Sequence, residues 1–285
     1  MTEYGIVTIA CKHSLYGRYA WNLCLSAKAN DMAMPVTLIA DQAGIAHLNE
    51  AQLMMFDKVI MVKDTWYKFK GKVLPLMLKF KLFELSPYDR TLFMDADTII
   101  SPMQNVKQWF DGMKGVKFAM ANRGYNDPDK GISEWVDKDV LKQTYPDTKN
   151  WIDLSSEFIY FERSEAVGEM FTEAMKFYKD DKLPMRQFAG DRPDEPFFNL
   201  AINKTGIKPH KIPYTPTFWS PAQRRHKSAM EIKREFFGFS VGGKEIPKLQ
   251  QKIYDEFCAN VAYKTGVPTL KVGHKRQYLP ERSVI

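Results

Sequence analysis

The hydrophobic pattern of the first third of the chain alternates short apolar runs with longer amphipathic segments. Apolar, β-prone runs predict strands at residues 5–10, 35–40, 58–62 and 91–94. Helical spacing of apolar residues is found at 16–30 and again at 72–85, where leucines follow one face. Because strands alternate with helices, we expect an α/β fold whose mostly parallel central sheet is flanked by helices.

The rest of the chain is less regular. Residues 122–150 are rich in glycine, proline, aspartate and asparagine, which favours a long loop or a small insertion. Further segments are predicted as a strand at 158–161, helices at 165–178, 197–203 and 247–263, and a turning, proline-rich stretch at 209–221. The sequence shows no internal repeat or low-complexity linker, so we expect a single domain over residues 1–285.

Composition indicates the kind of partner and the cellular compartment of the protein. The net charge of +7 and the pI near 9.1 suit an anionic partner, although the basic residues are spread along the chain as on a solvated surface. Cys11, Cys24 and Cys258 share no metal-binding spacing and cannot all pair, which favours a reducing cytosol. The N-terminus lacks the pattern of a signal peptide, and no apolar run is long enough to span a bilayer. We therefore expect a cytoplasmic protein without a membrane span.

Two carboxylates directly follow the fourth predicted strand. Ala96 separates Asp95 from Asp97, so an extended backbone would point both side chains to the same side, about 6–7 Å apart. Hard oxygen donors at the end of a strand suit Mg²⁺ or Mn²⁺, which usually keep coordination positions open for phosphate oxygens. Ligands of parallel α/β sheets bind beyond the carboxyl ends of the strands, so this pair is the first candidate site.

The segments around these acids resemble the metal-dependent glycosyltransferases of the GT-A fold. The closest similarity is to the glycogenin and galactosyltransferase-like family, which is glycosyltransferase family 8. Residues 78–85, Tyr88 and residues 92–98 are similar to the lysine-bearing helix of that family and its "hh-D-x-D-T" strand, at the same spacing. The resemblance implies that Asp95 and Asp97 hold the metal, and that Ala96, Lys79 and Lys70 lie at the phosphates of a nucleotide-sugar donor.

The first strand and the end of the second carry further donor-binding candidates. The opening strand resembles the family strand whose last residues cradle the uracil and ribose, here Thr8, Ile9, Ala10 and Cys11. Asp41 ends the second strand, where a carboxylate can accept hydrogen bonds from a base or a ribose. A turn residue or a helix cap is an equally good interpretation of Asp41.

A second similarity lies far downstream, at residues 191–199. This segment resembles the family's "D-x-x-D-Q-x-x-h-N" element at the sugar end of the donor, which implies donor contacts for Asp191 and catalytic roles for Asp194 and Glu195. Glu195 replaces the glutamine of the family, so a neutral group becomes a second carboxylate. Acids before Pro196 also fit an ordinary helix N-terminus, and both interpretations can hold at once.

Other elements depart from the family pattern. The family's Asn-Ser-Gly is represented only by Ser155 and Ser156, which we expect to line the donor side. The family's third metal ligand is a late histidine, which falls on His274 here without the usual Lys-Pro-Trp that follows it. His226 is the alternative ligand.

The sequence thus predicts a hexosyltransferase that moves a sugar from a UDP-sugar to an acceptor, with Mn²⁺ or Mg²⁺. The family resemblance implies retention of configuration and assigns residues 1–100 to the nucleotide, 101–215 to the sugar and acceptor, and 216–285 to a C-terminal extension. The acceptor is open: a saccharide, protein, lipid or nucleic-acid base.

Three rival functions stay open at this point. They are a haloacid-dehalogenase-type phosphatase that uses Asp95 and Asp97, a nucleotidyltransferase of related fold, and a basic module that binds nucleic acid.

Overall fold

The computed structural model describes residues 2–126, 135–148, 151–180, 182–183, 185, 192–212, 217–218, 228–241 and 248–272. They form an α/β fold in which a mostly parallel central sheet is flanked by helices, which confirms the predicted fold class. The chain forms two compact units. The first unit consists of Met1–Val7, Ile60–Asp95 and Gly112–Thr215, and the second of Thr8–Val59, Ala96–Asp111 and Pro216–Ile285.

The elements follow one another in an order typical of α/β folds. The strands are β1 (Thr2–Ala10), β2 (Val36–Ala40), β3 (Lys58–Met61), β4 (Lys68–Phe69), β5 (Lys72–Val73), β6 (Tyr88–Met94), β7 (Thr98–Ile100), β8 (Phe118–Asn126), β9 (Trp151–Glu162), β10 (His210–Lys211), β11 (Thr217–Phe218) and β12 (Gly238–Ser240). The α-helices are α1 (Ser14–Asn30), α2 (Gln42–Ile45), α3 (Glu50–Leu53), α4 (Leu82–Leu85), α5 (Val106–Gly112), α6 (Lys138–Thr144), α7 (Glu165–Asp180), α8 (Glu195–Thr205), α9 (Ala229–Glu235) and α10 (Lys248–Thr265). The strand order of the central sheet is β10-β8-β9-β6-β1-β2-β3, and smaller sheets have the orders β11-β12-β7 and β4-β5.

Strand β6 is the strand of the first unit that leads to the predicted acids. It pairs in parallel with β1, where Ile6 lies opposite Leu92, and antiparallel with β9, where Phe158 lies opposite Met94. Residues 91–94 are fully buried, as expected for a strand covered on both faces. The apolar run therefore fixes where β6 ends, and the polar residue Asp95 follows at once.

Aromatic packing in the first unit joins the segments that carry the predicted site. The rings of Phe80, Tyr178, Phe197 and Phe198 pack with centroid separations between 5.0 and 6.2 Å. Such pairs stabilise a fold by about 0.5–1.5 kcal/mol each beyond the area that they bury. The cluster fixes α7 and α8 against the segment before α4.

The second unit is built around α1. The buried side chain of Asn22 in α1 donates to the carbonyl of Leu270 (2.8 Å) and accepts from its N–H (2.7 Å), which holds the segment after α10 against α1. All the cysteines, Cys11, Cys24 and Cys258, are free and buried. Within the described residues, no helix combines the length and the apolarity that crossing a bilayer requires.

The structure confirms the four strands of the first third but corrects the helix predicted at 72–85. Lys72–Val73 forms β5, Pro75–Lys81 is a 3₁₀ helix, and only Leu82–Leu85 is α-helical. Gly71 has a φ of +81°, a conformation that favours a hairpin turn before β5. Pro75 then stands in the first turn of the 3₁₀ helix, where its missing N–H leaves no hydrogen bond unmade.

The loop predicted at 122–150 is also wrong in part. Strand β8 continues to Asn126, and α6 occupies residues 138–144. Asp137 begins α6 because its side chain accepts hydrogen bonds from the N–H groups of Asp139 and Val140. The polar, turn-prone composition of this region concealed a capped helix.

Candidate functional site

Lys79 lies at the centre of a cluster of charged side chains in the first unit. It belongs to the 3₁₀ helix before α4, and the residue is only 4% exposed. Its Nζ lies 2.9 Å from Asp95 Oδ1, and it donates to Ser156 Oγ (3.0 Å) and the Ser156 carbonyl (3.1 Å). The ammonium also lies 5.3 Å from the centre of the Phe93 ring. A buried ammonium with these partners is held rigidly in place.

Asp95 is the member of the cluster that solvent reaches. Its backbone N–H donates to the carbonyl of Glu157 (3.0 Å), which extends the β6–β9 pairing past the end of β6. One third of its side chain is exposed, against 5% for Lys79. Asp95 therefore pairs with a buried cation while it remains accessible to a ligand.

Asp194 and Glu195 bring two more carboxyl groups to Lys79. They stand at the start of α8, where Pro196 occupies the first turn. Asp194 is 2% exposed, and its Oδ2 lies 3.8 Å from Lys79 Nζ and makes no hydrogen bond. A buried carboxylate oxygen without a donor is costly, so a hydroxyl group brought by a ligand would improve the site.

The pKa values in the cluster reflect burial among like and unlike charges. Burial lowers the pKa of Lys79, but Asp194 and Asp95 more than offset this, so the pKa is raised overall. Burial raises the pKa of Asp194 despite the nearby ammonium and a hydrogen bond from Ser156. Burial and the Asp194 charge raise the pKa of Glu195 from 4.5 to about 8. Both acids therefore hold a proton more readily than free carboxyl groups do.

Two residues of the segment 191–199 make contacts that the sequence did not predict. The buried amide of Asn199 accepts from the N–H of Ile152 (2.9 Å) and donates to its carbonyl (3.0 Å), which ties α8 to β9. The guanidinium of Arg192 lies over the rings of Tyr178 and Phe197, at 4.9 and 4.8 Å. Asn199 was part of the matched motif, but only the fold reveals what it contacts.

The second unit contains the candidates for binding the uracil and the ribose. Thr8, Ala10 and Cys11 are buried and Ile9 is half-buried, at the end of β1. The Thr8 hydroxyl makes no hydrogen bond. Asp41 caps α2, because its carboxylate accepts from the N–H groups of Gly44 (2.6 Å) and Lys12 (2.7 Å). The cap interpretation of Asp41 is thus confirmed, and a donor contact stays a prediction.

Close packing of glycines shapes the same part of the second unit. A Cβ atom at Gly44 would lie 1.8 Å from the carbonyl oxygen of Ala10, and one at Gly17 would lie 2.1 Å from the carbonyl oxygen of Gly44. The backbone therefore approaches itself too closely for any side chain at these two positions.

The remaining predicted residues have more varied surroundings. Asp97 belongs to the second unit, is half-buried, and accepts from the N–H of Val241 (3.1 Å) through its carbonyl, while Ala96 is buried. Ser155 is half-buried in β9, opposite Ala121. Lys70 is exposed in the turn between β4 and β5, with its ammonium 5.5 Å from the Phe69 ring.

The metal site was predicted from residues that the structure describes only in part. Asp191, His274 and the alternative His226 lie outside the described residues. Among those that are described, no group of three or more His, Cys, Asp or Glu side chains could hold a metal ion. A metal at Asp95 and Asp97 stays a prediction, in which each carboxylate would supply hard oxygen ligands of the kind that Mg²⁺ and Mn²⁺ take.

Comparison with known proteins identifies the fold. No family model and no curated protein matches the sequence. The bifunctional glycosyltransferase WbbM superposes with a TM-score of 0.59 at 14% identity, over 92% of this chain and 50% of that one. Mouse xyloside xylosyltransferase 1 superposes with a TM-score of 0.52 at 13% identity, over 86% of this chain and 100% of that one. The galactosyltransferase LgtC in complex with donor and acceptor sugar analogs superposes with a TM-score of 0.51 at 13% identity, over 93% of this chain and 97% of that one.

These likenesses show that the chain has the GT-A-type fold of glycosyltransferases. This chain spans half the length of the WbbM structure. Identities this low carry the fold alone, so the activity is argued from the residues of the site.

Proposed function

We propose that the protein is a glycosyltransferase that moves a sugar from a nucleotide-diphosphate sugar, with UDP as the nucleotide, to an acceptor. The observation that carries the proposal is the Lys79 cluster, in which a buried ammonium holds Asp95 and Asp194 within a GT-A-type fold. A site rich in fixed charges and dipoles is what stabilises charge that develops during group transfer. The family-8-like resemblance adds a hexose as the sugar and retention of configuration to this proposal, and the cysteine content adds a cytoplasmic location.

The proposal includes a divalent metal at Asp95 and Asp97. When bound there, Mn²⁺ or Mg²⁺ would neutralise the charge that develops on the departing diphosphate. The donor set is two carboxylates, with His274 as the third ligand that the resemblance suggests. The exposed third of the Asp95 side chain supports this role, because an ion can reach it without breaking the ion pair with Lys79.

The remaining residues of the cluster act on the sugar in this proposal. Lys79 positions Asp95 and Asp194 together, since its Nζ lies 2.9 Å from the first and 3.8 Å from the second. The Oδ2 of Asp194, which makes no hydrogen bond, accepts one from a donor-sugar hydroxyl. Glu195, whose pKa is raised to about 8, donates a hydrogen bond near the reacting carbon in its protonated form. The two acids thereby do different work at one helix terminus.

A thermal-shift experiment tests the donor and the metal together. The purified protein is heated with UDP-, GDP-, CDP- and ADP-sugars, each with Mn²⁺ or with EDTA. A ligand at a hundred times its dissociation constant stabilises a protein by about 2.7 kcal/mol, which raises the melting temperature measurably. We expect a rise with UDP-sugars and Mn²⁺ that EDTA removes. No rise with any donor at millimolar concentration would contradict the proposal and favour the phosphatase alternative.

Matched variants test the role of the Asp95-Ala96-Asp97 motif. Asp97→Asn should reduce the donor shift to the EDTA level and lower transfer by about a hundredfold or more, because a neutral amide is a poor metal ligand. The control is Asp111→Asn, in which the changed carboxylate is exposed and pairs with Lys107 on the surface of the same unit. Equal donor shifts in the two variants would rule out Asp97 as a metal ligand.

A further inference from the structure

A lysine-rich hairpin projects from the first unit. We call residues 63–73 the lysine hairpin: they comprise a short 3₁₀ turn, strand β4, a two-residue turn and strand β5. Lys70 and Gly71 form the turn with φ values of +47° and +81°, the conformation of a tight type I′ turn. Strands β4 and β5 form a separate two-stranded sheet, and both residues of the turn are exposed.

The lysine hairpin is strongly basic over a short length. It carries the exposed side chains of Lys63, Lys68, Lys70 and Lys72, against the single acid Asp64. Asp64 accepts a hydrogen bond from the hydroxyl of Tyr67 (3.0 Å) at the base of the hairpin. In the register of the hairpin Lys68 lies opposite Val73 and Lys72 opposite Phe69, so these two lysines leave opposite faces of the two-stranded sheet. Ammonium groups on both faces and at the turn do not converge on a single phosphate, and they can contact several anionic groups at once.

An exposed tryptophan lies in the same hairpin, before β4. Trp66 is 38% exposed, and the ammonium of Lys81 lies 5.8 Å from the centre of its ring. Tryptophan is the side chain that most favours the boundary between water and lipid, because its ring is apolar while its N–H is polar. An exposed indole and exposed lysines on one hairpin supply an apolar contact and an electrostatic attraction, the two contributions that strengthen binding at an anionic bilayer surface.

The lysine hairpin is anchored firmly enough to present these groups. Tyr67 is fully buried and its carbonyl accepts from the N–H of Leu74 (2.8 Å), which closes the base of the hairpin. Phe69 packs on Tyr178 at 6.1 Å, and Tyr178 packs in turn on Phe197 in α8. The lysines therefore extend from a fixed platform.

We propose that the lysine hairpin docks the protein on the surface of an anionic phospholipid bilayer, with Trp66 at the headgroup level and the lysines on lipid phosphates. The attachment is peripheral, and it does not depend on the proposed transferase activity. Each lysine near an anionic surface strengthens binding by roughly fivefold.

Co-sedimentation with vesicles tests this docking surface. The full chain is mixed with phosphatidylcholine vesicles that contain either no phosphatidylglycerol or about a third of it. We expect binding only to the anionic vesicles, and weakening by salt because screening shortens the electrostatic range. The triple variant Lys63→Gln, Lys68→Gln, Lys72→Gln should bind about a hundredfold more weakly. Trp66→Ala should bind more weakly at unchanged net charge.

The control removes the same number of charges elsewhere on the first unit. Lys114, Lys204 and Lys208 are exposed, and changing them to glutamine should leave vesicle binding within about twofold of the wild type. Equal loss in the two triple variants would overturn the proposal, because net charge alone would then explain the binding. Equal binding to both kinds of vesicle, or binding to RNA without binding to anionic vesicles, would overturn it as well.

Discussion

Glu195 differs from the glutamine of the family motif but can make the same kinds of hydrogen bond. The resemblance places a glutamine at this position, and the carboxylate of Glu195 would introduce an extra negative charge beside Asp194. Because burial and Asp194 raise the pKa of Glu195 to about 8, the side chain keeps its proton to a higher pH than a free glutamate does. A protonated glutamate can donate and accept hydrogen bonds, as glutamine does.

The raised pKa of Glu195 predicts a specific pH dependence of stability. In the unfolded chain Glu195 ionises near 4.5, whereas in the folded protein it holds its proton to about pH 8. The folded state binds more protons between these values, so its stability falls as pH rises through them. Glu195→Gln cannot ionise, so we expect its advantage over the wild type to be smallest at pH 5 and to grow to on the order of a few kcal/mol at pH 9. Urea unfolding at pH 5, 7 and 9 measures the difference, and parallel curves would contradict the assigned pKa.

Lys79 and its near neighbour Lys81 offer a matched pair of lysines. Among the described contacts, Lys79 is the only cation shown within 4 Å of the buried Asp194 carboxylate, and Lys79→Met removes it. Breaking such a buried pair lowers the free energy of unfolding by about 3–5 kcal/mol. Lys81→Met removes a half-buried lysine that pairs with the exposed Glu84, which costs about 1 kcal/mol or less. Urea unfolding at pH 7 should separate the two variants clearly. Similar losses in both would mean that Asp194 does not need the ammonium.

At the scale of elements, the sequence predicted those whose pattern is local. Strand β6 is an apolar run that ends at a carboxylate, and both its existence and its end were correct. The helix predicted at 72–85 was wrong because the leucine spacing fits a helix, while Gly71 and Pro75 impose a hairpin turn and a 3₁₀ helix. Periodicity cannot separate these outcomes when breakers lie at one end of the pattern.

The candidate site shows the same division between local and tertiary information. Lys79, Asp95 and Asp194 were named from spacing and resemblance, and the structure brings them together. The contacts of Asn199 and the ring stacking of Arg192 were not predicted, because they join parts of the chain that only the fold makes neighbours. Sequence patterns show which side chains carry charge, but not which neighbouring groups fix those side chains in place.

The end of helix α8, which begins with the two acids, provides a test of an element. Gly206 follows the helix with a φ of +72°, and a Cβ atom there would meet nothing within 4 Å. Gly206→Ala should therefore lower the free energy of unfolding by about 1 kcal/mol through backbone strain alone. Gly112→Ala is the control, since Gly112 ends α5 without a positive φ and is equally open. Urea unfolding measures both, and an unaffected Gly206→Ala variant would contradict the left-handed cap.

At the scale of the whole molecule, composition carries information that the fold does not. The net charge of +7 keeps molecules apart at pH 7, and the pI near 9.1 marks where that repulsion disappears. No compositional break marks the division into two units, because each unit draws on three separate stretches of chain and β1 passes from one to the other.

The net charge and the titration of Glu195 predict two effects in the same pH range that can be separated. Light scattering at low salt should give a positive second virial coefficient at pH 7 that falls toward zero at pH 9, because like charges repel less as the protein approaches its pI. Added salt should weaken the repulsion at pH 7 by screening it. Glu195→Gln should raise folding stability at pH 9 while the scattering at pH 7 stays close to that of the wild type, since the substitution changes a net charge of +7 by at most one. A virial coefficient that does not change between pH 7 and pH 9 would show that net charge does not govern the association of this protein.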